Sequence, residues 1–312
     1  MIWLGERRGN LSDWVTQQWV KVTGRSVTLA SHPWLEGPVG PTSGIGVDFF
    51  TTLAAKRGLS LVRGAGVRGL LGDMEQLRGV DFDPVQVNER VANFYTSTSA
   101  YDLDAWAEWS AGFRPFGWLL ALLFSRRLRQ LNIPLSGLDT SGGMTSEVLQ
   151  LVEPATGDVR LTAWVRELLS TGRVLYAGTY SPCAIPGLDG PCLKVVFPLP
   201  NGNAMVIMRP VLHADGSMTV ASTGRKFGDP GFYFTVHDGD GRMWARYVRT
   251  LREAIHVYPA EDGRVRADHE LTIFGMTFLR LHYRLAPKSV NVPIDGSEPG
   301  VAVEPARSRR VS

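Results

Sequence analysis

Apolar positions follow two different periods along this chain, and the change between them divides it. From residue 159 onward apolar and polar residues alternate in short runs, the period-two pattern of strands with one face turned inward. Residues 159–166, 174–180, 193–199, 204–211 and 217–222 are such runs, with turn residues between them, and three further hairpins are expected over 232–285. Earlier in the chain apolar residues recur at helical spacing over 48–56 and 84–95, with Asp83 placed to cap a helix opening on Pro84. Residues 34–46 are rich in Gly and Pro and read as a loop. The strongest helical signal spans 103–132. Pro115 should break it into a short helix holding Trp106 and Trp109 and a second over 116–131.

The last three hairpins predict a register. A turn at 238–241 pairs Val236 with Met243, Phe234 with Ala245 and Phe232 with Tyr247. A turn at 260–263 pairs Val257 with Val265, Ile255 with Ala267, Glu253 with His269 and Leu251 with Leu271. A three-residue loop at 274–276 pairs Leu271 with Leu279, His269 with Leu281 and Ala267 with Tyr283. A two-residue turn would instead send Arg280, His282 and Arg284 inward, the costlier choice. On the inner face so defined, nearly every position is apolar. Arg249, Glu253 and His269 interrupt it, with Tyr247 and Tyr283 beside them. Polar groups cost free energy to bury unless paired, so the interruption marks either a satisfied polar cluster or a site.

Four segments follow: a mixed, mostly helical region over 1–100, an apolar helical hairpin over 101–135, an antiparallel sheet or barrel over 145–286, and a polar, Pro-rich, disordered tail over 287–312. The expected fold is α+β, with the helical region packed on, or plugging, a large antiparallel meander that curls or closes in the manner of a calycin.

Composition narrows the function classes. A formal charge of +3 with no long basic run outside the tail gives no footprint for nucleic acid. The N-terminal residues lack the apolar core of an export signal, and the longest apolar run, 116–124, falls short of the ~20 residues a membrane span needs. A cytoplasmic protein is expected. The 116–131 helix ends in Arg126, Arg127 and Arg129, and its all-round apolarity favours burial over a seat on a membrane surface. Cys183 and Cys192 flank a hairpin tip and are read as free thiols in a reducing compartment. Two cysteines with no nearby histidine make no zinc site, and no cofactor is expected.

Residues 270–279, together with 130–135 and 197–200, resemble the C-terminal part of the bacterial YndJ-like proteins. That family is itself uncharacterised, so the resemblance implies neither an activity nor a site. The residues themselves favour binding of a small hydrophobic molecule inside the curled sheet, with Arg249 gripping an anionic head and Tyr247, Tyr283, Phe232 and Phe234 forming walls. The alternatives are a cofactor-independent enzyme, with His269 as general base oriented by Glu253, and a protein–protein interaction module.

Overall fold

A computed structural model describes residues 11–42, 48–64, 66–110, 144–169, 174–238 and 242–288. In chain order the elements are α1 (Leu11–Thr23), β1 (Arg25–Val27), α2 (Phe49–Arg57), β2 (Ser60–Val62), α3 (Glu89–Thr96), β3 (Tyr101–Trp109), β4 (Met144–Val152), β5 (Val159–Leu168), β6 (Val174–Cys183) and β7 (Cys192–Leu199). There follow β8 (Gly202–Leu212), β9 (Met218–Ala221), β10 (Phe232–His237), β11 (Met243–Val248), β12 (Leu251–Pro259), β13 (Val265–Ile273) and β14 (Met276–Pro287). The alternating runs thus become strands where expected, and the fold is the α+β arrangement anticipated.

Every strand pair is antiparallel. The main path runs β2-β4-β5-β6-β7-β8-β9-β12-β13-β14-β3. β8 forks it: Gly202–Val206 pairs with β10, and Arg209–Leu212 pairs with β9. The β10 branch continues through β11 to β1. At the far ends, β3 and β4 come within 8 Å at Cα without pairing, so the sheet curls but does not close.

Three apolar clusters set which face is which. Inside the curl, Leu71, Leu77, Phe82, Val91 and Phe94 plug the space against Val206, Met208, Met218 and Val257. Outside, Phe50 and Leu53 of α2 pack on Leu149, Val165 and Ala177. Trp34 and Leu35 pack on Val196, Ile207, Tyr233 and Ala245. Strands β4–β8 are therefore buried on both faces, whereas the outer face of β12–β14 is polar.

Several expectations change. The 84–95 helix is two pieces: Asp83 accepts from the Val85 N–H to cap one 3-10 turn, the chain then breaks, and Asn88 accepts from the Arg90 N–H to cap α3. The tryptophan-rich segment is no helix but strand β3, with Leu103 and Ala105 turned to the interior cluster. Its Asp-Leu-Asp-Ala-Trp-Ala-Glu-Trp alternation has period two, which outweighs the helix-forming composition. The 116–131 helix and residues 289–312 lie outside the described residues.

The three hairpins each depart differently. In the first, Tyr233 pairs with Tyr247 and Thr235 with Ala245, one residue off the expected register, which exchanges the faces. In the second, Ile255 pairs with His269 and Glu253 with Leu271, a slip of two that preserves them. In the third, Phe274 (φ 50°) and Gly275 (φ 80°) form a two-residue turn of the kind that demands positive φ, and a bulge then adds Phe278. The bulge restores Leu271–Leu279, His269–Leu281 and Asp268–His282, so the costly inward arginines are avoided by a different device.

Cys183 and Cys192 are direct cross-strand partners and free. Burial pushes their thiols up to about 11 and about 12 respectively. Because the thiolate is the reactive form, native protein at pH 7.5 should resist iodoacetamide at both positions, and urea-unfolded protein should label at both. Peptide mass mapping reads the result.

Candidate functional site at the open end of the curl

The interior changes character along its length. Val257, Val265, Ala267 and Leu285 are fully buried against the plug. One or two residues further, Ile255, Glu253, His269, Leu271, Leu281 and Tyr283 keep part of their surface accessible. Among the described residues the curl is thus filled at one end and open at the other, and polar side chains gather at the transition.

Glu253 and His269 are there as expected. They sit diagonally rather than face to face, with His269 Nε2 3.6 Å from Glu253 Oε2, inside ion-pair reach but beyond a hydrogen bond. Tyr283 stacks beside the His269 ring with centroids 6.4 Å apart. Phe232 packs partly into the same interior cluster.

Three expected members do not join them. Arg249 lies in the β11–β12 turn and is exposed. Tyr247, carried to the other face by the one-residue slip, packs with Tyr233 in the Trp34 cluster. Phe234 meets Trp19 of α1 edge-on, with ring centroids 5.7 Å apart, and is partly covered.

The cation of the site is instead Arg166, from β5 across the curl. It is only 8 % exposed. Its guanidinium carbon lies 3.8 Å from the Trp164 ring centroid, 4.6 Å from that of Tyr176 and 5.5 Å from that of Tyr283. Tyr283 thus has the Arg166 guanidinium over its ring and the His269 ring stacked beside it. Beside them the Tyr176 and Tyr180 hydroxyls are 2.6 Å apart. Burial raises the pKa of all three phenols, that of Tyr180 to about 12, so they stay neutral donors.

Two buried nitrogens of this layer, Arg166 Nε and His269 Nε2, have no hydrogen-bond partner among the described residues. Buried polar atoms are nearly always paired, and exceptions ask for a reason. The signal for Arg166 in the sequence was the alternation of β5. That pattern does not say which of two buried faces is the interior, and Leu161, Ala163 and Val165 supply an equally apolar outer one.

A cleft of about 700 Å³, which His269 also lines, lies on the outer face of β9 and β12–β14. A rung of side chains crosses it, with Thr219, His256, Asp268 and His282 on successive strands. These groups satisfy one another: His213 with Thr219 at 2.7 Å, His256 with Ser217 at 2.9 Å, Asp268 with His282 at 2.6 Å and with Tyr258 at 3.1 Å. Among the described residues no group of three His, Cys, Asp or Glu side chains could hold a metal ion. Volume favours this cleft, but unsatisfied chemistry favours the interior layer, and the interior is the better candidate.

The chain is thus a curled antiparallel sheet with a buried polar layer at its open end. It is similar to the uncharacterized membrane protein YndJ of Bacillus subtilis strain 168, 28% identical over 253 residues, which are 80% of this chain and 42% of that protein. The chain therefore spans less than half the length of that relative. No family model matches it, and no solved structure matches it. No helix among the described residues is long and apolar enough to cross a membrane.

Proposed function

We propose that the open end of the curl binds a small, largely apolar molecule, with Arg166 and His269 at the inner limit of the site. The observation that carries this is the pair of buried, unpartnered nitrogens where the interior becomes accessible. Phe197, Phe232, Ile255 and Tyr283, all partly buried, supply apolar wall around them. Sites of this kind are concave, mostly apolar, and fixed by a few polar groups.

The anionic fluorophore 1-anilinonaphthalene-8-sulfonate tests the reading. Wild-type protein should bind it saturably at one equivalent, with unfolding still cooperative and its midpoint raised. Absence of saturable binding would overturn the proposal.

The 3.6 Å approach of His269 to Glu253 supports a second reading, proton transfer on a bound substrate with His269 as base and Glu253 as its orienting group. The two readings separate by mutation. A binder loses affinity in His269→Ala and has no turnover to lose, whereas an enzyme keeps its ligand in Glu253→Gln and loses turnover in both His269→Ala and Glu253→Gln.

A further inference from the structure

Resting on the binding reading above, we infer that the ligand's head group is a single carboxylate, and that Glu253 sets this preference by limiting the site to one negative charge.

Donors outnumber acceptors. Arg166 Nε is buried and unpartnered, and so is His269 Nε2. In the Tyr176–Tyr180 pair one hydroxyl donates to the other, which leaves the accepting phenol's proton to give. The Tyr283 ring lies beside the Arg166 guanidinium, which can only donate and so takes no proton from it, and the phenol's own proton is also available. Against these four stands one strong acceptor, Glu253. A ligand head that accepts hydrogen bonds fits this set, and a head that mainly donates does not.

Charge sets the number of negative charges. The ionisable groups of the interior layer are His269 with Glu253 on β12 and Tyr283 on β14 beside it, Arg166 on β5 over Tyr283, and Tyr176 and Tyr180 on β6. The phenols are neutral, and Arg166 and Glu253 cancel. The layer therefore carries no net charge with a neutral imidazole and one positive charge with an imidazolium. A monoanion leaves it between −1 and zero, whereas a dianion leaves it between −2 and −1, and uncompensated buried charge is expensive. A phosphate monoester is mostly dianionic above its second ionisation near pH 6. Geometry points the same way, because the Nε edge of a guanidinium presents two parallel N–H groups that match the two oxygens of a carboxylate.

The test is calorimetric titration of the whole chain at pH 7.5 with octanoate, 1-octanol and octyl phosphate, which share one tail. Octanoate should bind about tenfold more tightly than either of the others, as expected for one charge-assisted bond pair. In Glu253→Gln the layer gains one unit of positive charge. Its preference for octanoate over octyl phosphate should then shrink about fivefold or more, a change that a purely structural role for Glu253 would not produce. Equal affinity for octanol, tighter binding of octyl phosphate, or an unchanged ratio in Glu253→Gln would each overturn the inference while leaving a binding site in place. Failure of all three ligands to bind the wild type would overturn the binding reading itself.

Discussion

Replacing Tyr233 with alanine is expected to cost about 4 kcal/mol of stability, the range found for removing a large buried aromatic. Tyr233 is fully buried, its ring meets Trp34, Phe227 and Tyr247, and its hydroxyl donates to the Asp229 carbonyl while accepting the Gly228 N–H. Truncation removes the ring and leaves that amide and carbonyl without their partner. Phe234→Ala, one position away, should cost under about 1.5 kcal/mol, because its ring is partly exposed and meets only the edge of Trp19. Urea titrations of the two variants decide the register of the first hairpin. A one-residue slip of β10 would put Phe234 into the Trp34 cluster and Tyr233 against α1, and predicts the opposite ranking.

That hairpin shows why part of the fold was illegible in the sequence. Alternation identifies a strand's two faces but selects the inner one only when the other meets water. Here both faces are covered, one by α1 and the other by the Trp34 cluster, so Phe232-Tyr233-Phe234 satisfies either register. The second hairpin was more forgiving. Its slip of two residues moved every pair yet kept Glu253, Ile255, Ala267 and His269 on one face, which is why the Glu253–His269 pair was legible. Arg166 was not, because it enters from a strand more than eighty residues earlier that only the curl brings across. The strand character of β3 was present in its alternation and hidden by its alanines and glutamate, residues that composition assigns to helices.

Arg166→Met is expected to lower ligand affinity about 100-fold, the loss typical of deleting one partner of a buried charged contact. Its effect on stability should stay within about 2 kcal/mol, because Glu253 loses the layer's compensating cation while two further terms oppose each other. Stacking of the guanidinium on Trp164 and Tyr176 is lost, and so is the cost of keeping a charge 8 % exposed in an apolar surround. Methionine fills much of the same volume, which limits any cavity. The combination of lost binding and retained stability is what separates a ligand site from a polar group kept for packing alone. A residue there only to fix the core would change stability and have no ligand to lose. Arg249→Ala serves as the control: exposed in the β11–β12 turn, it should leave both quantities unchanged.

The central claim is that the open end of the curl holds a small molecule against Arg166. Native mass spectrometry of the protein purified from its own host, wild type and Arg166→Met side by side and each compared with its denatured mass, addresses this most directly. The account predicts a discrete added mass of a small molecule on the native wild-type protein, released on denaturation and absent from the variant. The same added mass on both proteins, or a clean apo mass on a wild type that also fails to take up octanoate, would contradict it.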